Sequence, residues 1–497
     1  MGLSRWDSRI GGPPGPDGFF SFWKRAATAI SYQVAIAGVQ YMVSITSFGA
    51  LINATASALN TDDIPLNAAL VYITVLGGGE LYADEGDYNL ADPMDLLGAN
   101  IIITGAGRNT LIDGDGLANN EHAIQISGRD DCVIRNLAIQ TQDGGGNVSH
   151  CIFIEDGSDG FLIEGVWIIT SDVDGIHVEG TDINNGWIIN CRIRGCDRNG
   201  IRVEMDDGDW LDLIHISKCN INTTGACIYA FRLRYSTICE NSLIYGSEGL
   251  YLWIVWYCSF SSNIIAEIDG EGIHTLNVFR CTIEGNIIQL SQNNGILIDS
   301  TSDYNNITDN YLIQNIRYGI EILLANCNEN TVKDNKYYQN TLGCINDLGT
   351  DTRVHEIVVE PEDRDASRGD HPVAQMLDNV STTVRFGFGA PDEFQEAVTA
   401  QVVIIPAANG TLRRQVETDF GKVCSGEAYN AHSDAIAAGD VAGMIQDDLE
   451  CIDVSAALTG LAARDTVGML FIRDATAGSG DTIAGTVWVK EFRMRFV

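Results

Sequence analysis

Between residues 123 and 323 the apolar positions follow two superimposed rhythms. A small residue followed by Ile or Leu recurs at Ala123-Ile124, Cys151-Ile152, Gly175-Ile176, Gly200-Ile201, Cys227-Ile228, Gly249-Leu250, Gly272-Ile273, Gly295-Ile296 and Gly319-Ile320. The steps are 22 to 28 residues, settling to 23, 23 and 24 after Leu250. Inside each recurrence, apolar and polar residues alternate, as in Ile176-His177-Val178-Glu179, which is the pattern of a short strand with one buried face. A second series runs in phase behind the first: Asn241, Asn263, Asn286, Asn310 and Asn335, with Asn136, Asn190 and Asn220 upstream. Two motifs in phase at one period predict a solenoid with one coil per repeat. A leucine-rich repeat is excluded, because its Leu framework is missing. The Asn series predicts an internal amide ladder at the one turn that needs a left-handed residue.

If the Ile of each pair points inward, the next residue and the one two further on point outward. The outward positions then form two columns. The first reads Gln125, Phe153, His177, Arg202, Tyr229, Tyr251, His274, Leu297, Glu321. The second reads Ser127, Glu155, Glu179, Glu204, Phe231, Trp253, Leu276, Asp299, Leu323. Glu155, Glu179 and Glu204 thus stack beside His177 and Arg202 as candidate catalytic groups. Tyr229, Phe231, Tyr251 and Trp253, with His274, form a candidate carbohydrate-binding patch. Neighbouring coils would set two carboxyls about 5 Å apart and alternate coils about 9–10 Å, near the retaining and inverting spacings of glycoside hydrolysis. Crowded carboxylates are expected to raise one another's pKa, which keeps a general acid protonated.

Two further acidic groups compete for that role: Ser171-Asp172-Val173-Asp174, and Glu204-Met205-Asp206-Asp207-Gly208-Asp209. Asp174 is carried as a candidate acid or base, and either group is a candidate Ca2+ ligand set. No cofactor is required by the pattern. His150, His177 and His274 lie on different coils and read as too far apart for a metal triad. The bland alternative is that the Glu column is merely solvated and the aromatics cover an interface.

North of the coils, residues 62–76 read as a short amphipathic helix with acidic caps and an early Pro. Gly77-Gly78-Gly79-Glu80-Leu81-Tyr82, Gly86-Asp87-Tyr88-Asn89-Leu90 and Ile101-Ile102-Ile103-Thr104-Gly105-Ala106-Gly107 follow. This order resembles the N-terminal lead-in of the pectate-lyase-like superfamily, and the resemblance spans residues 62–345. It implies a right-handed parallel β-helix, here of about ten coils. Lyases of that superfamily commonly use Ca2+ with an Arg or Lys base, a part Arg202 could fill. The Asn-Thr-Asp, Asp-Asp and Gly-His-Gly set of polygalacturonases is not found in order. Residues 350–380 are charged and read as a linker. From 381 to 497, alternation without helical period reads as an antiparallel β-sandwich. Its close, from Arg464-Asp465-Thr466-Val467 through Arg473-Asp474 to Phe492-Arg493-Met494-Arg495-Phe496, resembles the C-terminal domains of phage tail-fibre and tailspike proteins.

The fold expected is therefore all-β: a docking or oligomerisation segment (1–61), a capped parallel β-helix (62–349), a linker (350–380) and a β-sandwich (381–497). Charge narrows the partners. Thirty basic against 67 acidic residues give a net −37, which disfavours nucleic acid and anionic lipid surfaces. Residues 26–61 carry no charged side chain, but polar residues interrupt them, so no membrane span is expected. The 13 Cys are dispersed without a CxxC pair and read as reduced, buried thiols, which suggests assembly in a reducing host cytoplasm. The tailspike resemblance implies a homotrimeric virion spike or fibre that recognises, and can depolymerise, a surface polysaccharide, docking on other virion proteins through its N-terminal segment. The alternatives are a secreted, extracellular polysaccharide lyase or glycoside hydrolase, and a structural virion protein using the helix as a stiff spacer.

Overall fold

The computed structural model describes residues 30–36, 39–46, 49–54 and 63–496, apart from 119, 142–148, 206–207, 351, 363–365, 369–370, 392–393, 423–427 and 429. Three parallel sheets wind along residues 79–347. The front sheet has 13 strands and carries the small-Ile pairs, the flank sheet has 14, three of which lie at residues 30–54 ahead of the coils, and the rear sheet has 11. Each coil contributes one strand to each, as with Ile176–Glu179, Trp187–Ile189 and Arg192–Arg194. The expected β-helix is there, with about 11 turns.

The inward Ile residues lie directly over one another: Ile152, Ile176, Ile201 and Ile228 pair in register and are all fully buried. Burying one such side chain stabilises by roughly 1.5–3 kcal/mol, and the column repeats that gain once per coil. The small residue before each Ile has a packing reason. A Cβ on Gly249 would stand 2.3 Å from Gly272 O in the next coil.

The amide ladder is present, with one correction. Asn241 donates Nδ2–H to Asn263 Oδ1 (3.0 Å), and the chain continues through Asn286 and Asn310 to Asn335. The ladder Asn is not itself the left-handed residue. That conformation falls on the residue before it: Glu240, Ser262, Gly285, Asp309 and Asp334. Asn136 and Asn190 are left-handed corners of this kind, so they stand one position short of the ladder, which Cys191 and Cys219 occupy upstream. Nine described cysteines are buried and none is paired. Burial pushes the thiols of Cys151 and Cys227 up to about 12, so they act as core hydrophobes and not as nucleophiles.

The helix Asp63–Val75 closes the N-terminal end, burying Leu66, Ala69, Leu70 and Ile73. Ahead of it, strands Ile30–Ile36, Val39–Thr46 and Gly49–Ala54 form an antiparallel meander whose last member pairs parallel with Gly79–Ala83. The described part of the expected docking segment therefore extends the flank sheet, while residues 1–29 lie outside the described residues. No helix among the described residues is long and apolar enough to cross a membrane.

Residues 350–380 are not a linker. His355–Val359 and His371–Met376 are strands paired with Val487–Phe496, so the C-terminal region starts about 25 residues before the expected boundary (381 against 355). The surrounding acids hid the alternation of that short strand. The region comprises antiparallel sheets of six and four strands around one core that includes Phe386, Phe420, Phe471 and Phe492. Within it the fully buried Arg473 grips Asp481 through two hydrogen bonds of 3.0 and 2.8 Å and spends its remaining N–H groups on the carbonyls of Met376, Ile483 and Gly485. The final coil meets this region through Gln395 and Glu396, which accept the N–H groups of Tyr337 (3.0 Å) and Cys344 (2.8 Å). Those two bonds occupy donors that an open last coil would leave free.

Candidate functional site

The outward columns form as expected. Strand register sets Phe153, His177, Arg202, Tyr229, Tyr251 and His274 one above the other, and beside them Glu155, Glu179, Glu204, Phe231, Trp253 and Leu276. Only Leu323 drops out, because its strand, Tyr318–Ile322, ends one residue before it.

A third line of side chains, absent from the sequence reading, supports the first two. The residue two places before each inward Ile accepts the backbone N–H of its equivalent in the next coil. His122 Nδ1 takes the N–H of His150 (3.2 Å), and His150 Nδ1 that of Asp174 (3.2 Å). Asp174 Oδ1 takes that of Asn199 (2.9 Å), and Asn199 Oδ1 that of Ala226 (3.1 Å). Ala226 interrupts the line, which resumes with Glu248, Glu271 and Asn294. The signal was available: an acceptor recurs at that offset. Nothing local, however, says that its partner lies a coil away.

This line fixes proton positions. Because a backbone N–H occupies His150 Nδ1, the His150 proton sits on Nε2 and is donated to His177 Nδ1, 3.1 Å away. The His177 proton then sits on Nε2 and points at Glu204 Oε1 (3.1 Å), with Glu179 Oε2 at 3.4 Å. Arg202 Nη2 donates to the other oxygen of Glu204 at 2.6 Å. His177 and Glu204 are 5% and 9% exposed, whereas a third of the Glu179 side chain reaches solvent. Burial holds His150 down to about 2 and His122 to about 4, each reinforced by its histidine neighbours, so these two rings are neutral. Burial works to raise Glu204, but hydrogen bonds from His177 and Arg202 outweigh it and bring the pKa to about 2. The expected upward shift from crowding is thus reversed at Glu204. It is a permanently ionised acceptor, and of the three stacked glutamates Glu179 is the one presented beside this chain. Glu155 Oε1 is engaged by Gln125 at 2.6 Å.

His150 and His177 are in contact, so the sequence-based separation of the histidines is corrected for that pair; adjacent coils close a gap of 27 residues. His274 remains apart, against Tyr251 and Glu248. Two groups offer ligand atoms within 4.8 Å of one another: His150, Asp174 and His177, and His177, Glu179 and Glu204. His150 Nδ1 accepts a backbone N–H and the Arg202 guanidinium supplies positive charge beside Glu204, while the buried Asp174 Oδ2, 3.5 Å from His150 Nδ1, has no hydrogen-bond partner. Asp206 and Asp207 lie outside the described residues.

C-terminal to Arg202 the strip turns aromatic. Arg202 lies 5.1 Å over Tyr229, whose ring stacks on Tyr251 at 5.3 Å and 7°. Phe231 and Trp253 meet at 4.6 Å, and Trp253 is 38% exposed. The patch is wider than expected. Trp210, Trp256 and Phe279 continue it sideways, and Tyr235 and Tyr257 beyond them. A surface hollow of about 550 Å³ at Glu417, Asp419 and Asp434 opens elsewhere, on the C-terminal sheets.

Comparison with known proteins agrees on the fold. A family model described as "Right handed beta helix region" matches residues 199–358. Within that span, the described residues up to Asp347 are a right-handed β-helix. No curated protein sequence matches the chain. Among solved structures, the A-module of the mannuronan C-5 epimerase AlgE4 of Azotobacter vinelandii aligns at 14% identity and a TM-score of 0.42, over 60% of this chain and 97% of its own. The tailspike gp49 of the Acinetobacter baumannii bacteriophage Fri1, a capsular polysaccharide depolymerase, aligns at 10% and 0.41, over 93% and 94%. Tailspike protein 2 of the Escherichia coli O157:H7 bacteriophage CAB120 aligns at 10% and 0.48, over 94% and 76%.

Proposed function

We propose that this protein is a virion spike or fibre component that recognises a surface polysaccharide along the front face of its middle coils. The observation that carries the reading is the continuity of the strip. A buried His–His–Glu–Arg chain presents Glu179 at one end, and aromatic rings ending in the exposed Trp253 extend from the other. Sugar rings bury their C–H faces on aromatics while hydroxyls seek carboxylates and guanidinium groups, and both surfaces lie within a few coils here. Glu179 is the carboxylate placed to act on a bound glycosidic linkage, with His177 as its positioning residue. The layout of N-terminal segment, β-helix and antiparallel C-terminal region supports a trimeric virion assembly docked through residues 1–61.

A glycan array and a depolymerisation assay on the full chain, beside Glu179→Gln and Trp253→Ala, test this. Binding lost in Trp253→Ala, with product lost in Glu179→Gln, is the expected result for a cleaving spike. Binding without product leaves a recognition spike. Neither, across a broad panel, favours the second reading, a stiff spacer. That reading has its own support in the face-to-face packing of Tyr229 on Tyr251, which satisfies these rings within the chain.

A further inference from the structure

Beside the strip, where the front sheet turns into the flank sheet, a second line of side chains stands on consecutive left-handed corners: Leu213, Tyr235, Tyr257, Arg280, Tyr304 and Glu329. Arg234 packs over the Tyr235 ring at 5.3 Å, and Tyr235 stacks on Tyr257 at 5.3 Å and 14°. Arg280 lies between Tyr257 and Tyr304, at 5.7 and 5.6 Å from the two rings, and donates to the Tyr257 hydroxyl at 2.8 Å. The result is an alternating pile of guanidinium and phenol planes. Its ring faces are engaged by one another and the Tyr304 hydroxyl is taken by Glu329, so what it offers outward is the hydroxyls of Tyr235 and Tyr257 and the guanidinium edges. Tyr235, Tyr257 and Tyr304 are 52%, 42% and 47% exposed.

The charge of this rail is out of keeping with a chain of net −37. Arg234 is neutralised by Asp212 through two bonds of 2.8 and 2.7 Å. Arg280 is held only by the two rings and a neutral hydroxyl, and the nearby Arg232 only by the Phe231 ring at 5.0 Å; neither forms an ion pair with a carboxylate among the described residues. Stacking holds both guanidinium groups in place without cancelling their charge. Two acids stand on the same corners, but both are engaged: Glu329 takes the Tyr304 hydroxyl and pairs with Arg353 at 3.5 Å, and Asp303 accepts the Asn328 N–H at 2.6 Å, so the guanidinium edges of Arg232 and Arg280 are occupied by neither. A planar guanidinium with free edges matches carboxylate or phosphate in a bidentate contact.

From this we infer a second, separate binding site: the Arg232–Arg280 rail takes the anionic substituents of an acidic polysaccharide. It goes beyond the strip reading and does not depend on cleavage at Glu179. Rail and strip are contiguous through Trp256 and Phe279, so one polymer can lie on both.

The test is affinity electrophoresis of the full chain through gels cast with polygalacturonate, hyaluronate or neutral dextran, at low and physiological salt. The wild type should be retarded by at least one acidic polymer and not by dextran. The Arg232→Gln/Arg280→Gln variant should lose at least tenfold of that retention while keeping the wild-type melting temperature, and Arg194→Gln, an exposed arginine on the rear sheet, should retain all of it. Equal retention in dextran, no retention in either acidic gel, or an unchanged double variant would overturn the proposal. Loss in Trp253→Ala alone would leave the strip reading standing and remove the rail.

Discussion

The two halves of the outward strip are built on the same columns and the same strand register, yet they solve opposite problems. From Phe153 to Glu204 the outward residues sink into the surface and satisfy one another by hydrogen bonds, leaving Glu179 as the partly exposed member. From Tyr229 to Trp256 they stand proud and satisfy one another by ring packing, with Trp253 and Trp256 36–38% exposed. A buried polar network is costly wherever one member is missing, so its energy is concentrated in a few bonds. A ring stack loses little when one plane is removed. The comparison teaches that the first half should govern stability and its pH dependence, and the second half binding.

The largest expected break comes from acid. His122 and His150 titrate near 6.5 when unfolded but at about 4 and about 2 in the fold. Protons therefore bind the unfolded chain first, and stability falls as pH drops below 6.5. Between pH 6.5 and 4.5 the two together remove up to about 5 kcal/mol, at about 1.4 kcal/mol per unit each. A denaturant series across that range should show the slope. His122→Asn/His150→Asn should flatten it, because Asn keeps the acceptor in the ladder, as Asn199 does.

Next in size is Glu204→Gln. Glu204 titrates at about 2 against an ordinary 4.5, so its stabilisation is complete above pH 4.5 and disappears as pH falls toward 2. The substitution should cost about 3 kcal/mol at pH 7 and leave a chain whose stability falls less steeply across that window, read by urea unfolding. If the midpoint at pH 7 stays put, the His–Glu–Arg chain does not carry the energy assigned to it.

Tyr251→Ala removes a plane between Tyr229 and His274 and should cost about 1–2 kcal/mol in the same assay. Trp253→Ala should move stability by no more than about 1 kcal/mol while lowering retention of a bound glycan about tenfold or more. A Trp253 variant that melts like Glu204→Gln would erase the contrast between the halves.

The columns were legible in the chain itself because strand side chains alternate with period two and coils stack in register. Knowing that Ile176 points in therefore places His177 and Glu179 out, and their neighbours 22 to 28 residues away beside them. The amide ladder was legible for the same reason, since a recurring buried Asn has few other uses. Other features depended on distances that no local pattern encodes. The His150–His177 contact, the proton order that follows from the backbone N–H at His150, and the lowered Glu204 all require two coils at once. The rail at Tyr235, Tyr257, Arg280 and Tyr304 escaped notice because its residues sit on corners, outside the alternation used to read strands. The strand at His355–Val359 was missed because its partner is the far C-terminus. Sequence thus determined which residues face outward, through the periodicity of the backbone. Only the stacking of coils decided which of them are buried, which carry protons and which remain open to a ligand, because those properties arise from neighbours a full turn away.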